Sequence, residues 1–476
     1  MVLCLVYLCG ACVDDDATRV GSAAQSGVTW TLDIAPLVAD HCLGCHQKGG
    51  IAPFSMQEYA SAKGFAFAMA EAVEHGRMPP FLANETPECQ PRLPWARDLR
   101  LTSEQKSKLR AWANAGAPEG PEPAAGTQPR KPTLTALARE DVVMRLPEPI
   151  EVQGDEDIHT CIVVDPGLDR DRYVIGRQVT AGNARVLHHV VGYVVPPGRN
   201  PDGTKRNKPQ LEAAIRKQHG VGVGGRWECF GGAGLPQLNV EMLDVWAPGG
   251  QPNLAPPDSG QLIDKDALVV LDVHYHQTGQ VEIDKDTRVS LMLADEPPAL
   301  ISQIILLGNA RGHWESDVGI GVLLQQPGED KPEFVIPAFA EGHVEEMTWT
   351  WKVPENAYRI YAAATHMHYV GRDMRVSLEH TQTQDEECLI ETPHWDFNWQ
   401  RLYDYAAEYE ALPQMGGGDV LRLRCVYDNI MQNEHVAEAL ANRGLHEPVD
   451  VALGEDTLDE MCITGLGLIY PNTHPR

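Results

Sequence analysis

The chain has 476 residues, 43% apolar and 22% charged, with 67 acidic against 39 basic residues and a formal net charge of -28. A chain of this length holds about two to four domains. The absence of any apolar run long enough to cross a bilayer as a helix excludes a membrane-spanning one, and the acidity opposes binding to a nucleic-acid phosphate backbone. Eleven cysteines in three separate contexts point away from a reducing cytosol.

In chain order, residues 2–13 read VLCLVYLCGACV and run into Asp14, Asp15 and Asp16. An apolar run this short suits the core of a secretory signal. No Lys or Arg precedes it, so the charged start of the signal is expected upstream. Gly10 and Ala11 before Cys12 match a bacterial lipoprotein cleavage site, although Cys9 stands where Leu is usual. Ordinary export and lipid attachment to a membrane at Cys12 both stay open, and both put the mature chain in the periplasm or cell envelope.

Residues 42–46 read CLGCH. Cys42 and Cys45 are spaced for thioether bonds to haem vinyl groups, and His46 follows as an axial iron ligand, the attachment signature of c-type haem. A redox CxxC or half a zinc site compete with this reading, but the first gives His46 no role and the second finds only Cys89 nearby. Residues 57–76 have helix-forming composition and lead to Met78, held before Pro79 and Pro80, as the candidate sixth ligand; Met56 and Met69 are alternatives. A further helix is expected from Thr102, capped with Gln105, to Gly116. Residues 28–118 therefore resemble a small all-α cytochrome c domain carrying one haem c. Residues 119–145, rich in Pro, read as a linker.

Beyond residue 145 the pattern changes to short alternating or β-branched runs, among them 172–179, 184–195, 267–276, 287–293, 346–353, 358–370, 373–380, 420–427 and 461–470. This predicts two all-β antiparallel sandwiches of jelly-roll type, over 146–298 and 299–476. Histidines cluster within them. His188 and His189 are adjacent, His274 and His276 are two apart, and so are His366 and His368. On a regular strand positions i and i+2 share a face, so His366 and His368 can hold one metal, whereas His188 and His189 need a local bulge to point the same way. Imidazoles suit zinc or copper, and a thioether such as Met461 favours Cu(I), although core packing is the ordinary use of a Met there.

The ordered set LHHVV, WAPGG, VHYH, THMHYVG, WDFNWQ, GDVLRLRCVY and DEMC, from about residue 148 to 471, resembles the copper type II, ascorbate-dependent monooxygenases. This is the family of peptidylglycine α-hydroxylating monooxygenase and dopamine β-monooxygenase. The resemblance implies two β-sandwiches with one copper each: an electron-transfer site at His188, His189 and His274, and an oxygen-binding site at His366, His368 and Met461. It also implies disulfides Cys161 to Cys229 and Cys425 to Cys462, leaving Cys89 and Cys388 either bridged to each other or free. The implied partners are O2, a small organic substrate with an activated C–H bond, and an ascorbate-like or periplasmic electron donor, with haem on His46 relaying electrons to the first copper.

Departures limit the transfer. Where the peptide-hydroxylating members hold the substrate carboxylate, this chain has Ala364 and Gly465, and a Gln two residues before the third His is Asp272. Peptidylglycine is therefore not the expected substrate. His276 reads as a solvated strand residue, and His159, His313, His343 and His394 as structural or surface residues. A non-catalytic haem and copper electron-transfer or copper-binding protein is the alternative; a zinc hydrolase is disfavoured because no HExxH pair is present.

Overall fold

The computed structural model describes residues 27–473 except 49, 51, 122–135, 155–156, 230–231, 317, 329, 355–356 and 455–457. Cys4, Cys9, Cys12 and most of the expected linker lie outside the described residues.

The architecture corrects the expectation of a separate all-α cytochrome c domain at the N-terminus. The chain is mostly β and only 15% helical, and among the described residues no clear all-α domain stands at its N-terminus. The N-terminal helices are short: a π-helical turn Trp30–Ile34, then Ala35–His41, Tyr59–Lys63, Ala66–Glu74 and Ser103–Asn114. The single helix expected over 57–76 is two pieces interrupted at Gly64 and Phe65. The capping box of Thr102 and Gln105 is present, each side chain taking the other's backbone N–H.

These helices share a small apolar cluster around Trp30, Ile34, Leu109 and Trp112. Between the last two of them the chain leaves that cluster. Phe81, Ala83 and Trp95 are buried in the core of the C-terminal β region. Trp95 bridges to Tyr405, and a disulfide joins Cys89 to Cys388. The Cys89 and Cys388 thiols are thus a staple that fastens the helical segment to the β body, rather than free groups.

The two β halves are also fused. Leu300–Gly308 pairs antiparallel with Ile463–Pro471 over nine positions, from Leu300 opposite Pro471 to Gly308 opposite Ile463. On its other side it pairs with Glu241–Trp246 and Ser259–Ile263 of the first half. A 15-stranded sheet therefore runs through both halves, and a separate six-stranded sheet in the order His313–Glu315, Gly319–Leu323, Glu341–Trp351, Val420–Asp428, Gly371–His380, Asp385–Thr392 covers the second.

At the centre of the first half, Leu268–Tyr275 is buried at all eight positions, which explains its unbroken apolar run. It lies between Ile158–Val164 and Leu187–Val195. Each fully buried Val or Leu there stabilises the fold by about 1.5–3 kcal/mol, so the strand is a rigid platform for whatever its end carries. That end carries His274. In the second half, Tyr358–His366 pairs with Ile463–Pro471, bringing His366 opposite Ile463 and Ala364 opposite Gly465.

Candidate metal centres

The register places three imidazoles at one strand end. His274 lies opposite His189, and Tyr275 opposite Leu187, so His188 is the extra residue of a bulge. The distortion that adjacent histidines require on one face is therefore present. The Nδ1 atoms of His188 and His189 are 3.3 Å apart, those of His188 and His274 3.0 Å, and those of His274 and His189 3.4 Å. Three bare lone pairs this close repel. A cation about 2.0 Å from each nitrogen in tetrahedral to trigonal geometry sets them about 3.3–3.5 Å apart, so the cluster fits a metal without rearrangement.

Neighbouring groups hold the rings in the ligand-ready state. His274 Nε2 donates to Asp157 Oδ2 at 2.9 Å, which turns its Nδ1 lone pair toward the cluster. Burial, then the charge of His274, pushes His188 down to about 4 and His189 well below the usual range. Burial acts upward on Asp157, but the hydrogen bond and charge of His274, followed by the charge of His276, hold it at about 2. His188 and His189 are thus neutral imidazoles near neutral pH, with the Asp157 carboxylate adjacent to His274. His159 stacks on His274 with ring centroids 3.9 Å apart, and His276 is exposed with Nδ1 3.5 Å from Asp157 Oδ1. The sequence reading gave His159 no spacing of note; its signal was its register, directly opposite His274 on the neighbouring strand.

His366 ends its strand, while His368 lies in the turn beyond it, so the two do not share a regular strand as expected. Buried Met367 separates them, and their rings stand edge-on with centroids 5.4 Å apart. Each Nδ1 is occupied: His366 Nδ1 donates to Gln400 Oε1 at 3.0 Å and His368 Nδ1 to the Asp459 carbonyl at 3.0 Å. With Nδ1 donating, Nε2 is the nitrogen that carries the lone pair on each ring. Burial, followed by the charge of His368, lowers His366 to about 3.

The backbones of His368 and Met461 are joined by Glu460, whose carboxylate is fully buried. Glu460 Oε2 accepts from His368 N at 2.8 Å and from Met461 N at 2.9 Å. Its Oε1 accepts from Val370 N at 2.8 Å and Gly371 N at 3.1 Å. Burial raises Glu460 to about 7 against the pull of these four donors. Tyr427 donates to the Met461 carbonyl at 2.8 Å, and Cys462 is bridged to Cys425. Cys161 is bridged to Cys229, with buried Asp272 Oδ1 3.6 Å from Cys229 Sγ. Glu460, Asp157 and Gln400 were missed by sequence reasoning; the signal for Glu460 was its place in the acidic pair Asp459 and Glu460 directly before Met461.

The CLGCH motif follows the first helix of the N-terminal cluster. Cys42 and Cys45 are unpaired while the other described cysteines are bridged. His46 is buried, and its Nδ1 donates to the Phe54 carbonyl at 3.1 Å, leaving Nε2 for a ligand. Burial pushes the Cys42 thiol up to about 12. Met78 packs on the same cluster as Cys42 and Phe54. Gly249 of the first β half lies against Cys45 so closely that a Cβ there would fall 2.2 Å from the sulfur.

Fold and site together define a mostly β chain in which three imidazoles converge at one strand end, while in the second half the segments bearing His368 and Met461 are joined through Glu460. Residues 333–471 match the family model for copper type II ascorbate-dependent monooxygenase, C-terminal domain, the portion that contains His366, His368 and Met461. That family consists of copper-dependent monooxygenases, so the match supports an oxidoreductase. No curated protein sequence matches the chain. Among solved structures, the N-terminal CBM22-1-CBM22-2 tandem domain from Paenibacillus barcinonensis Xyn10C aligns over 69% of this chain and 82% of its own at 10% identity. Its TM-score of 0.15 is too low to carry an argument.

Proposed function

We propose that this chain is an exported two-copper monooxygenase that hydroxylates an activated C–H bond of a small, uncharged organic molecule. The observation that carries the reading is the convergence of three Nδ1 atoms within 3.4 Å of one another at His188, His189 and His274. Copper held there and at His366, His368 and Met461 would supply one-electron chemistry with dioxygen. The overall balance is one C–H substrate, one O2, two electrons and two protons giving one alcohol and one water. The electrons come from a one-electron donor of the ascorbate class or a periplasmic equivalent.

The chain's own residues set up this chemistry. Asp157 fixes the His274 tautomer, Gln400 and the Asp459 carbonyl fix those of His366 and His368, and Glu460 binds the two ligand-bearing segments together. The substrate class follows from the strand face that carries His366. Ala364 is two residues from it and shares its side of the sheet. A Cβ on Gly465 would lie 3.4 Å from that of Ala364 and 3.6 Å from the Leu306 side chain. Among the described residues, Ala364, Gly465 and Leu306 offer no charge to a carboxylate at this position, which supports a neutral substrate.

A c-type haem on Cys42, Cys45 and His46, with Met78 opposite, is proposed as the electron entry. The unpaired thiols and the Nδ1 tether of His46 favour it over a redox disulfide. Covalent haem is tested by the mass of the intact chain and the alkaline pyridine spectrum. Hydroxylation is tested with isotopically labelled O2, ascorbate and a panel of neutral substrates. Label is expected in the product, and its loss is expected in Met461→Ile with the haem spectrum unchanged. Undiminished labelled product from Met461→Ile would overturn the assignment of the oxygen site.

A further inference from the structure

The segment after the six-stranded sheet, from Trp395 to Gln400, touches both candidate metal centres. Its short 3-10 turn Phe397–Trp399 is opened by Asp396, whose side chain accepts from Asn398 N at 2.9 Å. Gln400 Nε2 donates to the Phe397 carbonyl at 3.1 Å and closes the turn on itself. From this compact unit three side chains reach ligand residues. Trp395 Nε1 donates to the His368 carbonyl at 3.1 Å, and Gln400 Oε1 holds His366 Nδ1 at 3.0 Å. The Phe397 ring lies between: its centroid is 6.4 Å from that of His188, in near-parallel planes, and 5.9 Å from that of His368. Tyr369 backs the same ring with centroids 4.6 Å apart.

One imidazole of each centre therefore neighbours a single aromatic ring, that of His188 near-parallel to it and that of His368 perpendicular to it. We infer that residues 395–400 form a strap that seats the two centres face to face, with Phe397 as the positioning residue between them in place of an open, water-filled gap. The inference rests on the two-copper reading and departs from the separated centres that the family resemblance implies. It has a physical basis in rigidity. The strap is tied to His366 and His368 by the hydrogen bonds of Gln400 and Trp395, and the Phe397 ring lies at aromatic-pair distance from His188 and His368. Displacing one centre from the other must take the Phe397 ring away from His188 or from His368.

The experiment uses the full chain loaded with Cu(II) in the absence of substrate, with copper counted by elemental analysis and the frozen-solution electron paramagnetic resonance spectrum recorded. Two coppers per chain with dipolar broadening, absent from a His274→Ala chain loaded at one centre, is the expected result. Phe397→Ala is expected to keep both coppers and lose the broadening, while Phe397→Tyr, which keeps the ring, retains it. Two coppers whose spectrum equals the sum of two isolated centres would overturn the strap and leave the two-copper reading standing. Fewer than two coppers per chain would overturn the two-copper reading and the strap with it, a result distinguished by the metal count alone. Equal broadening in wild type and Phe397→Ala would remove Phe397 from the positioning role.

Discussion

Replacement of Glu460 by Gln changes almost no volume and removes half of a buried acceptor set. In the native chain each carboxylate oxygen takes two backbone N–H groups, His368 and Met461 on one, Val370 and Gly371 on the other. A Gln amide keeps one oxygen and presents its own N–H groups to the second pair. Two hydrogen bonds to a charged acceptor are lost, at about 1.5–3 kcal/mol each. The neutral amide recovers part of the cost of burying the carboxylate, whose burial already raises it to about 7, and the net destabilisation expected is about 2–4 kcal/mol. Urea unfolding of the metal-free chain, followed through its buried tryptophans, reads this as a lower midpoint with an unchanged slope. Copper counting then locates the effect: the pair His366 and His368 loses metal while the three-imidazole site keeps it. A variant within about 0.5 kcal/mol of wild type that retains both coppers would refute the role given to Glu460.

Four further outcomes follow from the same geometry. Asp157→Asn keeps a hydrogen-bond acceptor but removes the charge beside His274, and copper affinity at the three-imidazole site is expected to fall about 10–100-fold in competition against a chelator, with the second centre unaffected. In the metal-free chain His188 and His366 titrate near 4 and 3 against an ordinary 6.5. The unfolded chain then binds more protons between pH 6.5 and those values, so stability must fall as pH drops through that window, at the limit by roughly 3 kcal/mol for His188 and roughly 5 kcal/mol for His366. Urea midpoints between pH 7 and 4.5 check the sign, and a midpoint independent of pH would contradict it. Replacing Cys89 and Cys388 by Ser removes the staple between the N-terminal segment and the β body at an expected cost of about 2–4 kcal/mol, seen as faster proteolytic cleavage within residues 76–102. Gly465→Tyr places a bulky side chain against Ala364 and Leu306, and should raise KM for neutral substrates while leaving copper content unchanged.

Much of the strand pattern was legible because burial on one face writes itself as alternation, and burial on both faces as an unbroken run. The stretches around 172–179, 184–195, 267–276 and 461–470 coincide with strands Arg172–Thr180, Leu187–Val195, Leu268–Tyr275 and Ile463–Pro471. What sequence could not supply was which strand pairs with which. Leu300–Gly308 reads as a further apolar segment, and only its pairing with strands from both halves reveals a continuous sheet in place of two closed sandwiches. The helical expectation for the N-terminus failed for a related reason. Composition favours helix over 57–76, but the segment between Met78 and Arg100 finds its apolar partners in the distant C-terminal core, and a domain boundary cannot survive there.

The candidate ligands were legible through their clustering, and the bulge at His188 followed from adjacency alone. Their supports were not. Asp157, Gln400 and Glu460 act through hydrogen bonds between residues 34 to 117 positions apart, and single polar residues in loops carry no periodicity to mark them. Phe397 sat within the recognised WDFNWQ element, yet nothing in that string says that its ring meets an imidazole from each centre.

The central claim is that two chemically distinct copper centres occupy one chain, one of imidazoles only and one that includes the Met461 thioether. X-ray absorption at the copper edge of the reduced, fully loaded chain tests it most directly. The account predicts two coppers per chain and an average of half a sulfur scatterer per copper, with the sulfur signal abolished in Met461→Ile and preserved in His274→Ala. Sulfur scattering that persists in Met461→Ile, or its absence from the wild-type chain, would contradict it.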